Sequence, residues 1–204
     1  MAGELSTQGA AARLTADAGA GGVVARTDRL TLRRVRPDDA DAYLTWRSRP
    51  EVMKYIYLTP WTPEVAAERL ATWSVSPFAA SGDVLMLAVE EDDGDVVGEA
   101  LLKWSTGTGQ VEIGYAFHPG VARLGYATEA GRELLHLAFD VYDFHRAFAR
   151  IDAENLPSIR VAQRLGMRLE ATLVENDLRP SDGAWASEVV YAILASEYAS
   201  RRRP

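Results

Sequence analysis

The chain has 204 residues and a formal net charge of −7, from 22 basic and 29 acidic side chains; that length suits one domain of ordinary size plus a tail. A composition of 48% hydrophobic and 25% charged residues is that of a soluble globular domain, the acidity disfavours nonspecific nucleic-acid binding, and no apolar run approaches the roughly 20 residues of a membrane span. There is no cysteine, which excludes disulfides, a thiol nucleophile and cysteine metal sites, and the three histidines (His118, His136 and His145) lack the spacing of a metal-ligand set.

Residues 1–26 are rich in Ala, Gly, Ser and Thr and show no periodicity. They lack the basic start and apolar core of a signal peptide, so a disordered extension on a cytoplasmic protein is expected. The domain proper is expected over 27–200, with 201–204 as a basic tail. Arg29–Val35 alternates imperfectly as a strand. Pro37-Asp38-Asp39 opens a helix with an acidic first turn, running to about Arg47 and ended by Pro50. Glu51–Tyr57 reads as a short second helix. Thr62-Pro63-Glu64 supplies a capping hydroxyl, a first-turn proline and a carboxylate for a third. Val84–Val89 and Val96–Trp104 form a hairpin about the Glu91–Asp95 turn, and Ser105–Gly109 turns into a further strand, Gln110–His118.

The stretch Val111–Tyr142 organises the second half of the chain. Val111, Ile113, Tyr115 and Phe117 alternate as a strand, Pro119-Gly120 breaks it, and Leu134, Leu135, Leu137, Ala138 and Phe139 recur at helical spacing. Between strand and helix lies a short loop of mostly small residues, Val121–Thr128. The first four N–H groups of a helix lack internal partners and the dipole is positive there, so this is a place to bind phosphate. His145–Asp152 is the next strand. Asn155 caps a helix with Pro157 in its first turn, ended by Gly166. Strands at Met167–Glu175 and Ser187–Leu194 flank a loop at Leu178–Gly183, and Ala195–Arg202 is a closing helix. This order is that of an α+β fold: a mixed, mostly antiparallel sheet of six to seven strands with helices on both faces.

Four segments in this order, EIGYAFHP, GYATEAGRELLHLAF, RIDAENLPSIRVAQRLGMRLEATL and DGAWASEVVYAIL, resemble the GNAT acetyltransferases, nearest the RimJ/RimL-like branch, over roughly Thr27–Tyr198. The resemblance implies a three-layer GNAT-like fold in a monomer or homodimer, and acetyl-CoA as cofactor with CoA as product. It also implies a primary-amine acceptor, either a protein N-terminal α-amine or a small-molecule amine, acetylated by direct attack in a ternary complex. Against the family's loop pattern, Gln/Arg-x-x-Gly-x-Gly/Ala, the chain reads Ala122-Arg123-Leu124-Gly125-Tyr126-Ala127. Gly125 and Ala127 hold; the first position is Ala122, and the second, often Gly, is Arg123. Many relatives carry a proton-donating tyrosine seven residues after the capping asparagine, where this chain has Ala162. These two departures keep open a different class, an acyl-CoA-binding sensor or structural module without turnover.

The residues implied at the cofactor are Ala116, Phe117 and His118 at the strand end, Arg123, Leu124, Gly125, Tyr126, Ala127 and Thr128 in the loop and first helical turn, and Asn155 with Ser158. Arg123 either turns inward to the phosphates or points into water. Ser158 either donates a proton to the leaving thiolate or satisfies backbone N–H groups at its helix start. Glu112 is either the base that takes the amine's proton or an ion-paired strand glutamate. Among the many aromatics of the acceptor half, Trp46, Tyr55 and Trp104 are candidate walls for the amine, since a π face suits a cation.

Overall fold

The computed structural model describes residues 19–107 and 109–201. Strands β1 (Val23–Arg26) and β2 (Leu30–Arg34) pair antiparallel across a tight turn. A 3-10 turn at Pro37–Asp39 leads into α1 (Ala40–Arg47) and α2 (Pro50–Met53), which continues as a 3-10 turn at Lys54–Ile56 before α3 (Pro63–Val75). Then come β3 (Val84–Glu91), β4 (Val96–Trp104), β5 (Gln110–Phe117) and α4 (Tyr126–His136), the last closed by a π turn at Leu137–Val141. The chain ends with β6 (Arg146–Asp152), α5 (Leu156–Arg164), β7 (Arg168–Leu178), β8 (Trp185–Leu194) and α6 (Ala195–Arg201).

The alternation of β3 shows why three layers form. Leu85, Leu87 and Val89 join a core with Leu134 and Leu135 of α4 and Val161 of α5. Met86 and Ala88 point the other way, into a second core with Tyr43 and Trp46 of α1 and Leu70 of α3. Because successive strand residues face opposite sides, one strand fills both helix–sheet interfaces. Caps fix where the helices begin. Thr62 Oγ1 accepts from the Val65 N–H at the start of α3, and Asn155 Oδ1 accepts from the Ser158 N–H at the start of α5.

The sheet runs β1-β2-β3-β4-β5-β6-β8-β7, eight strands where the sequence suggests six or seven. The extra strand is β1, which falls inside the stretch expected to be a disordered extension. Its four residues are too few to show a period, and they gain order by pairing with β2, Val23 opposite Arg33 and Arg26 opposite Thr31. The ordered domain therefore starts before Thr27. The remainder of the expected extension, residues 1–18, and of the basic tail, 202–204, lies outside the described residues; Arg201 ends α6. Strand β7 runs to Leu178, past its expected end at Glu175, through an irregularity where Glu175 takes a φ of 44°.

One pairing is parallel, β5 with β6, and it covers only Gln110–Glu112 opposite Arg146–Phe148. Beyond it β5 keeps to β4, as far as Phe117 opposite Gly98, and β6 keeps to β8, as far as Asp152 opposite Glu188. From Ile113 onward the two strands have parted, and the β5 edge that faces β6 has no strand partner. The sheet opens there into a wedge.

Candidate active site

The wedge is the floor of a cleft of about 620 Å³. One wall is the β5 segment Ile113–Phe117, the other Ala149–Ile151 of β6, and α4 and α5 present their N-terminal turns above it. At its far end the cleft is closed by Glu51, Val52, Tyr55 and Ile56 of α2 and its 3-10 extension.

The α4 end is made of backbone. Gly125 precedes the helix in the left-handed region at φ 89°, and α4, unlike α3 and α5, receives no side-chain cap. The N–H groups of Arg123, Gly125, Tyr126 and Ala127 bond to no other described residue. Four such donors at the positive end of a helix dipole form an anion cradle. Arg123 also sits in the left-handed region, at φ 70°, so the position where relatives often carry glycine demands a backbone that glycine adopts without strain. Arg123 is exposed at the cleft rim and shares the lining with Arg150, which pairs with Glu188, and with Arg160 and Arg164, against a single carboxylate, Glu51. Arg123, Arg160 and Arg164 form no ion pair with a described residue. The cleft is thus locally basic in an acidic chain, which suits a phosphorylated ligand.

The loop is held from outside by the β1–β2 turn. Arg29 pairs with Glu129, donates to the Leu124 carbonyl at 3.0 Å, and stacks its guanidinium 4.8 Å from the Tyr126 ring centroid. Thr27 Oγ1 donates to Glu129 at 2.6 Å. Desolvation alone would raise the Glu129 carboxyl, but the bonds from Thr27 and Arg29 outweigh it and hold its pKa below the ordinary value.

The end closed by α2 is held by charge. Asp152, 2% exposed, accepts from the Tyr57 hydroxyl at 3.0 Å and lies 3.3 Å from Arg179 Nε. Glu154 takes Lys54 at 3.1 Å and Arg179 at 3.0 Å. These pairs tie the turn that carries Tyr55 to the corner between β6 and α5. Burial, then the bond to Asp152, pushes the Tyr57 phenol up. Deeper in, Arg47 of α1 pairs with Glu99 of β4, both almost fully buried, and stacks 4.8 Å from the Trp61 ring.

Of the residues expected at the cofactor, Ala116, Phe117, Arg123, Gly125, Tyr126, Ala127, Thr128, Asn155 and Ser158 come together in the cleft wall. His118 and Leu124 do not. His118 Nδ1 accepts from the Gly120 N–H at 2.9 Å and so shapes the turn, while Leu124 is half exposed and offers its carbonyl to Arg29. Of the expected acceptor walls, Tyr55 lines the cleft. Trp46 is wholly buried against Tyr43 in the second core, and Trp104 packs edge-on to Phe144 at 5.0 Å; neither reaches the cleft. Their indoles fill space between helix and sheet, which is what large aromatics most often do. Glu112 is also absent from the wall. It lies within the paired part of β5, 3.8 Å from Lys103 Nζ.

Sequence reasoning does not single out Tyr115, Arg150, Arg160, Arg164 and Glu51, all of which belong to the wall. Arg160 and Arg164 lie four apart on α5, a helical spacing visible in advance. Glu51 follows Pro50 and looks like a first-turn carboxylate, so nothing local distinguishes it.

The profile described as Acetyltransferase (GNAT) domain matches residues 29–168. YnaD of Bacillus subtilis (strain 168), an uncharacterized N-acetyltransferase, is 31% identical over 173 residues, 84% of this chain and 97% of its own. RimJ of Mycobacterium smegmatis, solved in complex with CoA-disulfide, superposes with a TM-score of 0.68 at 27% identity, covering 82% of this chain and 83% of its own. Spermidine N-acetyltransferase from Vibrio cholerae, solved with CoA and spermine, has the same fold at a TM-score of 0.74, with 18% identity over 85% of this chain and 99% of its own.

Proposed function

The chain belongs to the GNAT acetyltransferases, and from that premise we propose that it moves an acetyl group from acetyl-CoA to a primary amine by direct attack in a ternary complex. The observation that carries this reading is the wedge between β5 and β6, floored by an unpaired strand edge and leading to the uncapped end of α4. The wedge suits a pantetheine arm, whose amides can pair with a free strand edge as an added strand does. The cradle of Arg123, Gly125, Tyr126 and Ala127 N–H groups suits a pyrophosphate. When bound, the cofactor supplies an activated acetyl thioester. The amine nitrogen forms a bond to the acetyl carbon, the carbon–sulfur bond breaks, and the electron pair leaves on sulfur. One proton must leave the acceptor nitrogen and one must reach the thiolate.

Ser158, in the first turn of α5, supplies the second proton. Its backbone N–H is already bonded to Asn155 Oδ1, its hydroxyl meets the Tyr115 phenol, and the residue stands in the cleft wall. The first proton goes to a carboxylate at the end closed by α2. Glu51 stands in the cleft wall and Glu112 does not, so Glu51 takes the role ahead of Glu112, each carboxylate having one basic neighbour at 3.8 Å, Arg49 and Lys103. The acceptor is a monoamine such as a peptide α-amine. The likeness to RimJ supports this choice.

Thiol release from acetyl-CoA across a panel of peptides, amino-acid derivatives and polyamines tests the proposal. Release that depends on a monoamine supports it. Tight acetyl-CoA binding with no release for any amine would make the domain a binding module instead. Glu51→Gln should slow turnover about tenfold or more, while Glu112→Gln keeps the parent rate.

A further inference from the structure

Tyr115 lies on β5 three positions past the last residue that pairs with β6, where no ladder holds the two sides of the wedge together. Alternation puts it on the face of Val111 and Ile113, toward α4 and α5. Its ring packs against the larger core, its edge forms part of the cleft wall, and its hydroxyl donates to the Ser158 carbonyl at 3.3 Å. That bond crosses from the sheet to the first turn of α5.

Ser158 is consequently gripped twice. Asn155 takes its N–H at 3.2 Å and Tyr115 reaches its carbonyl. The Ser158 hydroxyl also meets the Tyr115 phenol, so the one tyrosine engages both the carbonyl and the side chain of Ser158 and selects among the staggered positions open to its hydroxyl. The next turn of α5 offers no phenol: its inward residue is Ala162, 1% exposed and facing the core. The phenol at this site comes from the strand. Burial raises its pKa, so it stays a neutral donor to the carbonyl through the ordinary working range of pH.

We infer that Tyr115 is a positioning residue for the transfer step: its hydroxyl bond to the Ser158 carbonyl sets the separation of β5 from α5 and aims the Ser158 hydroxyl into the cleft. The inference rests on the reading of Ser158 as proton donor.

Tyr115→Phe removes the hydroxyl and leaves the ring that packs the core. In the ligand-free protein, amide hydrogen exchange should quicken severalfold at Ser158 and Ile159 and stay unchanged in α4, with the thermal midpoint preserved. In turnover, kcat should fall about tenfold while the KM for acetyl-CoA moves less than about twofold, the mark of lost alignment rather than lost binding. In a Ser158→Ala background, Tyr115→Phe should cost nothing further, because a residue acting through Ser158 has nothing left to aim. An equal loss in both backgrounds, or unchanged exchange and unchanged kcat where Ser158→Ala is slow, overturns the inference. Full turnover by Ser158→Ala in an active enzyme overturns the proton-donor reading and, with it, this role for Tyr115. Quickened exchange would then mark a purely structural bond.

Discussion

The two ends of the cleft are built from different materials. At the α4 end the functional groups are main-chain: four N–H donors, a glycine and an arginine in left-handed conformation, and an unpaired strand edge. At the α2 end they are side chains carried on short turns and fixed by charges, Tyr57 on the buried Asp152, Lys54 and Arg179 on the exposed Glu154, and Arg47 on the buried Glu99. A site made of backbone tolerates changed side chains as long as the φ values survive. This explains how the loop can begin Ala122-Arg123 and keep its geometry. A site made of side chains depends on the charge network beneath it.

The contrast can be broken at several points, and the largest effect belongs to the α2 end. Glu99→Ala leaves the Arg47 guanidinium buried without its partner and should cost about 3 kcal/mol or more of stability, read by chemical denaturation. A cost near zero would mean that the helices over this face do not depend on buried charge. At the α4 end, Gly125→Ala should cost about 1–2 kcal/mol, because an added Cβ meets only ordinary contact, 3.5 Å from Arg29, yet φ 89° disfavours any L side chain. Acetyl-CoA affinity should drop about tenfold or more by calorimetry as the cradle shifts. The opposite sign is expected next door: Arg123→Gly relieves a left-handed arginine and should raise stability by about 1 kcal/mol. Its loss of affinity for acetyl-CoA should be no more than a few-fold and smaller at high salt, since the backbone donors remain.

The smallest effect concerns the outer brace of the loop. The Glu129 carboxyl is held below its ordinary pKa in the folded state, so it contributes stability that is present above the unfolded-state pKa and lost as pH falls through the folded-state value. Glu129→Gln should therefore be less stable than the parent at neutral pH, and the gap should close in acid as the parent carboxyl protonates. Thermal melts in a pH series read this directly; a gap that persists at low pH would assign the deficit to packing instead of charge.

The same contrast governs what is legible in the sequence. Gly125 and the capping Asn155 are visible because turn and cap chemistry is local: a left-handed φ calls for glycine, and a capping oxygen needs Asn, Asp, Ser or Thr; Ala127 is reached through the family's loop pattern. Most of the strands and helices emerge from period and punctuation in the same way. Strand β1 does not, because four residues cannot establish a period and its order comes from the β2 edge. Trp46 and Trp104 look like acceptor walls because composition counts aromatics without saying which way they face; the structure buries Trp46 in the second core and packs a part-buried Trp104 against Phe144. Glu51 and Tyr115 are invisible for the converse reason. Their roles exist only where the turn after α2, β5 and α5 converge, and no pattern within one segment encodes that meeting.

Direct acetyl transfer requires that enzyme, acetyl-CoA and amine meet in one complex before any product leaves. Initial rates of thiol release, with acetyl-CoA and a peptide amine both varied, read that requirement without a mutation. The expected result is a rate that vanishes without the amine and double-reciprocal lines that intersect. Parallel lines, or no amine-dependent release at saturating acetyl-CoA, would contradict it.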